Sequence, residues 1–250
     1  MSDPSANGLR LDRPADHVCV VTIDLPPVNA FTPEAYETAA RLLGDLDRDT
    51  RTHAVVLTGA GARAFSAGTD RASLSLRGTE LDAAIASAGQ LFSRLGEMRT
   101  PLIAALNGPA IGGGAMIAAD CDVLLAAPET YLAMPELSLG YPGGGSHLMT
   151  LVPRFLALRM LLLGERLSAE RASAYGILRV VPARALLREA IECACSIADL
   201  DPEAVAEARS IIRAREDSRA IEGYAAEMRV MKSLMTRQSC SEESDDENVH

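Results

Sequence analysis

Tryptophan is absent from this 250-residue chain, and all aromatic residues together make up only 4% of it. With so few rings to stack on bases, and with 34 Asp and Glu against 24 Lys and Arg, a nucleic-acid partner is excluded. A phosphate backbone would be repelled by the formal net charge of -10. Part of that excess sits in the last twelve residues, SCSEESDDENVH, which carry five acidic groups and no Lys or Arg, and are expected to form a disordered tail. The cysteines, Cys19, Cys121, Cys193, Cys195 and Cys240, are odd in number and lack the paired spacing of a zinc site or a secreted disulfide framework. They suit a reducing, cytoplasmic setting. His17, His53, His147 and His250 lie too far apart to form a ligand set, so no metal is expected. No apolar run reaches membrane-spanning length, because residues 102–119 are broken by Asn107, Gly108, Pro109 and the Gly112-Gly113-Gly114 triplet. The segment MSDPSANGLR has no basic region followed by an apolar run, and is expected to be the mature start.

What is present reads as α/β. Strand-like segments at 17–24, 53–58, 102–106 and 122–126 alternate with helix-like ones at 33–49 and 80–98. Thr32 is placed to cap the first helix, with Pro33 at its first position. After Leu148 the pattern is mostly helical, with Ser168 as an N-cap and Gly176 as a stop. Three helices, at about 184–198, 202–215 and 218–237, have apolar stripes too narrow for a core of their own and are expected to pack on a neighbour.

Three segments carry candidate chemistry. AFSAGTD (64–70) places small residues where backbone amides can approach a ligand. IGGGAM (111–116) opens a helix, whose unpaired amides and positive dipole end favour a developing anion. Two such amides converging would form an oxyanion hole. A glycine-rich turn is also the ordinary way to make a tight loop, so neither segment decides alone. In Met134-Pro-Glu136, an apolar neighbourhood would raise the carboxyl pKa and suit a general base, though a capping or solvated glutamate fits the same residues.

The order decides more than the parts. AFSAGTD, then NGPAIGGGAMIAADCDVLLAA, then MPELSLG, then LLLGERLSAERASAYGILRVVP resembles the enoyl-CoA hydratase/isomerase (crotonase) superfamily over residues 9–181. The resemblance implies a crotonase-like (ClpP/crotonase) spiral of ββα repeats over 1–181, a helical oligomerisation region over 182–238 that makes homotrimers or homohexamers, and the acidic tail from 239 to 250.

It also implies an acyl-CoA substrate, no cofactor beyond the CoA of that substrate, and enolate stabilisation by the amides of Ala67 and Gly113 with Glu136 as base. Gly112 joins Ala64, Ser66, Gly68 and Asp70 along the CoA thioester, and Arg63, Arg71 or Arg77 is a candidate for the CoA phosphates. Hydratases of the family use two glutamates, whereas this chain has Met116 in the place of the first. A methionine can neither take a proton nor orient water, which favours a one-base enoyl-CoA isomerase. The alternatives are a hydratase or another crotonase-type lyase or hydrolase and, in a different class, a non-catalytic acyl-CoA binder. The loop after Glu136, GYPGGGSH (140–147), is one residue shorter than the family's usual form; Tyr141 and His147 stand in it without an assigned role.

Overall fold

The structure, a computed structural model, describes residues 3–6, 8–214 and 223–234. The predicted acidic tail, Cys240 and His250 lie outside them, as do residues 215, 218–222 and 235–237 of the predicted helices.

Four parallel strands form the centre of the molecule: β3 (Val18–Ile23), β5 (Ala54–Gly59), β7 (Leu102–Leu106) and β9 (Val123–Ala126). β1 (Asp3–Ala6) and β2 (Leu9–Ala15) extend the sheet antiparallel at one edge, and β12 (Arg179–Val180) closes the other. β3, β5 and β7 are buried along their whole length, which explains their near-continuous Val, Leu, Ile and Ala. Alternate residues go to opposite faces. Val21, Leu57, Ala104 and Leu124 enter a large core, whereas Val20, Val56, Ile103 and Leu125 enter a smaller one on the reverse face.

The large core is covered by α1 (Pro33–Arg48), α2 (Gly78–Glu97) and α3 (Gly113–Ala119). α1 begins as its sequence predicts, with Thr32 Oγ1 accepting from the Ala35 amide at 3.3 Å. Such a cap is worth about 1 kcal/mol. Each central strand is followed by a short strand that leaves the main sheet: β4 (Ala30–Phe31), β6 (Gly68–Thr69), β8 (Ala110–Ile111) and β10 (Tyr131–Ala133). β4 pairs with β6, while β10 lies between β8 and β11 (Leu167–Ser168). Strand, short strand, helix repeats three times, giving the spiral of ββα turns.

α4 (Gly145–Leu151), α5 (Arg154–Leu163) and α6 (Ala169–Ala174) follow, the last capped by Ser168 Oγ on the Arg171 amide at 3.3 Å. The expectation of a neighbour for the late helices needs correction for α7 (Leu186–Ala198). Its stripe of Leu186, Ala190, Ala194 and Ala198 is the cover of the smaller core, so α7 is a layer of this chain's own fold. A narrow stripe of alanines suffices because small side chains let the helix pack closely on the sheet. α8 (Pro202–Arg213) buries only Ala206 and is held by polar contacts: Arg209 and Arg213 donate to the carbonyls of Met98, Arg99, Leu95, Gly96 and Asp120 and pair with Asp122. α9 (223–234) folds back over the large-core side, where Lys232 pairs with Asp82 of α2 at 2.7 Å.

Candidate active site

The ends of β6, β8 and β10 converge on a cavity of about 120 Å³. Glu136, Gly112, Gly113, Thr69, Tyr36 and Tyr141 surround its polar end. Ala67, Leu74, Leu81, Ile85 and Phe92, with Tyr224, Met228 and Met231 of α9, are among the residues of the remaining wall. Among the described residues, no Arg or Lys lines it. The segment after Asp70, around Ser73 to Leu81, does supply wall residues.

Glu136 opens the single turn Glu136–Leu139 that follows β10 and Met134-Pro135. It is 7% exposed, and its Oε2 has no hydrogen-bond partner among the described residues. Burial raises its pKa to about 7, and the negative charge of Glu227 adds to the rise; a backbone hydrogen bond opposes it. Such a carboxyl is poised to accept or return a proton near neutrality. Gly112 is required beside it. With φ of +55° the backbone there suits glycine, and a Cβ would collide with Glu136 Oε1.

Gly113 is the first residue of α3, so its amide belongs to the first turn and has no acceptor inside the helix. Gly68 (φ +75°) lies against it, and a Cβ on Gly68 would come within 2.7 Å of the Gly113 nitrogen. The bare Gly68 backbone thereby keeps space open at the amide.

The second amide is not that of Ala67. The Ala67 amide donates to the Val28 carbonyl at 3.0 Å, so the expectation that it faces a ligand is corrected. Backbone groups of successive strand residues point to opposite edges. The Asp70 amide donates to Phe31 across the β4–β6 pair at 2.9 Å, which directs the Thr69 amide to the other edge, the side of Gly113. Thr69 and Gly113 both line the cavity.

Ala64, Ser66, Gly68 and Asp70 do not line it. Ser66 is fully buried, its hydroxyl donating to the Asn29 carbonyl at 2.7 Å and accepting from the Gly68 amide. The Ala64 carbonyl accepts from Asn29 Nδ2 at 2.9 Å. Asp70 accepts from the Ala72 amide and the Ser73 hydroxyl. These residues shape the loop that presents Thr69. Arg63, Arg71 and Arg77 are all exposed, and Arg77 donates to the carbonyls of Leu74 and Leu76.

Met116 lines the cavity one helical turn beyond Gly113 and brings no polar atom able to order water. Tyr141 lines it too, with its pKa raised by burial and by Glu136. His147 lies behind the wall, packed on the rings of Phe92 and Tyr224, with Nε2 3.7 Å from Asp120 Oδ2. Burial lowers its pKa to about 4, so it is a neutral packing residue at physiological pH.

The sequence reading passed over Thr69, Tyr36, Tyr224 and Glu227. Thr69 is inside the motif that was singled out, but choosing it over Ala67 needs the β4–β6 pairing. Tyr36 is one apolar-face residue of an amphipathic helix, and nothing local marks Tyr224 or Glu227.

The chain matches the sequence profile described as Enoyl-CoA hydratase/isomerase over residues 13–246. A "Probable enoyl-CoA hydratase" of Mycobacterium tuberculosis is 34% identical over 230 residues, 90% of this chain and 89% of that protein. A carnitinyl-CoA dehydratase of Salmonella arizonae is 32% identical, covering 88% and 85%. Among solved structures, an enoyl-CoA hydratase/isomerase from Mycobacterium paratuberculosis superposes with a TM-score of 0.84 at 27% identity, covering 93% of this chain and 95% of that one. DspI of Pseudomonas aeruginosa superposes at 0.81 with 30% identity, covering 91% and 88%. With the ββα spiral, the paired amides and the buried glutamate, these likenesses make the chain a member of the enoyl-CoA hydratase/isomerase (crotonase) family.

Proposed function

We propose that the chain isomerises an enoyl-CoA, with Glu136 as its single base. The thioester oxygen sits between the amides of Thr69 and Gly113. Glu136 removes a proton from C2, the electron pair passes into the thioester as an enolate, and the same proton returns at C4 as the double bond moves from C3–C4 to C2–C3. Oxyanion donors of this kind are worth about 3 kcal/mol of barrier each.

The observation that carries this reading is the pairing of a buried, unpartnered Glu136 carboxyl with Met116 where a second glutamate would order water. The apolar wall from α2 and α9 suits a hydrocarbon acyl chain. Incubation of 3-hexenoyl-CoA with the enzyme in deuterated water tests it: 2-hexenoyl-CoA should form without 3-hydroxyacyl product. Recovery of unchanged 3-hexenoyl-CoA after long incubation would sink the isomerase.

The second reading is hydration or dehydration, supported by the names of the hydratase and dehydratase relatives. Rapid hydration of crotonyl-CoA would establish it. A non-catalytic binder would hold CoA thioesters while Glu136→Gln changed no reaction. Phe155, Leu162 and Leu163 of α5 and Met149 of α4 are large apolar side chains left exposed, which supports self-association as a trimer or hexamer. A monomer by light scattering would reject that assembly.

A further inference from the structure

Tyr36 is only 1% exposed, yet it lines the cavity. Its ring stacks on Phe31 with centroids 4.8 Å apart and leans on Phe92 at 6.2 Å, which fixes where the hydroxyl points. That oxygen is 3.0 Å from Thr69 Oγ1, and a Cβ on Gly113 would come within 2.7 Å of it. The phenol therefore stands beside both residues whose amides face the cavity.

A hydroxyl has one proton and two acceptor positions. In the Tyr36–Thr69 pair either oxygen can be the donor. When the Thr69 hydroxyl donates to the phenol oxygen, the phenol proton is left for a third oxygen, and the open space beside it is the cavity. We propose that Tyr36 is a catalytic residue: its hydroxyl is a third hydrogen-bond donor to the thioester oxygen, relayed by Thr69. This rests on reading the site as one that stabilises an enolate.

Two features suit the role. The donor stays protonated, because the Tyr36 pKa is pushed up to about 12, chiefly by burial, with the Thr69 hydrogen bond opposing and the charge of Glu136 adding to the rise. The charged group acting there is Glu136. The donor also lies where the developing charge gathers, in a water-poor setting that strengthens a fixed dipole.

The test uses 2,4-hexadienoyl-CoA, whose absorption moves to longer wavelength as its carbonyl is polarised. Tyr36→Phe keeps the ring between Phe31 and Phe92 and removes only the hydroxyl. The bound chromophore should show a smaller red shift in Tyr36→Phe than in wild type, and kcat on the turned-over thioester should fall about ten- to a hundredfold with KM little changed. Thr69→Val should give a weaker version of both effects, because the phenol keeps its proton.

An equal red shift in wild type and Tyr36→Phe overturns the proposal, as does a rate loss that merely follows the folded fraction measured by circular dichroism. The absorbance readout needs no isomerisation. A failure of the isomerase reading with an intact Tyr36-dependent red shift would therefore leave this assignment standing.

Discussion

Glu227 Oε1 accepts a hydrogen bond from the Ser146 amide at 2.8 Å, so a carboxylate of the last described helix caps the helix that starts beside Glu136. The same loop touches the base directly: a Cβ on Gly143 would meet Glu136 Cγ at 3.3 Å. Glu227 is itself partly buried, and desolvation raises its pKa against the hydrogen bonds it receives from the loop. One side chain thus holds the glycine wall and adds negative potential at the base.

Glu227→Gln keeps an oxygen for the Ser146 amide and removes the charge. The acid limb of the kcat/KM profile should move to lower pH, because a neighbouring anion no longer favours the protonated form of Glu136. Glu227→Ala should in addition lose about 1 kcal/mol of stability with the cap. Unchanged pH profiles in both variants would show that the two carboxyls do not interact.

Glu136→Gln should lower turnover by about two to four orders of magnitude while acyl-CoA binding persists. In the wild type the basic form is needed, so kcat/KM should rise with pH up to about 7 and then level. A rate that falls across this interval would point to the acid form as the active one.

The same group sets a stability dependence of opposite sense. Its folded pKa of about 7 lies above the ordinary 4.5, so the native state binds the extra proton between these values. Stability from this group is fully present below pH 4.5 and is lost as pH rises through 7. Glu136→Gln should therefore be more stable than wild type at pH 8 by up to about 3 kcal/mol, with the advantage shrinking toward pH 5. Urea unfolding at the two pH values measures it.

Met116→Glu places a second carboxylate on the cavity wall one turn beyond Gly113. Hydration of crotonyl-CoA should rise at least about tenfold, since one further acid/base group contributes factors of that size or more. Stability should fall by about 1–3 kcal/mol for burying an ionisable group among apolar neighbours. Chromatography of the 3-hydroxyacyl product decides, and no gain in hydration would clear Met116 of responsibility for the one-base chemistry.

Much of this arrangement is legible in the sequence because it is local. The unbroken burial of residues 18–23, 54–59 and 102–106 follows from their own apolar content, and Thr32 and Ser168 cap the helices they precede. Gly112, Gly113 and Glu136 are recoverable because their motifs carry them. Choosing Thr69 over Ala67 is a different kind of problem: two residues of one motif, separated by Gly68 alone, differ in how the backbone is paired, and the partner lies almost forty residues away at Phe31. Tyr36 and Glu227 reach the site from α1 and α9, where the neighbouring residues say only that a helix is present. The misjudged stripe of α7 has the same origin, since the sheet face it covers is built from distant segments.

The wall that would receive the acyl chain comes from two helices, α2 and α9, joined by the Lys232–Asp82 ion pair, whereas the base and the amide donors come from β6, α3 and the turn after β10. Selectivity and chemistry are therefore inherited separately. Replacements at Leu81, Ile85, Met228 or Met231 can lengthen, shorten or recontour the chamber without disturbing Glu136 or Gly113, so such a lineage can acquire new thioesters while keeping one reaction.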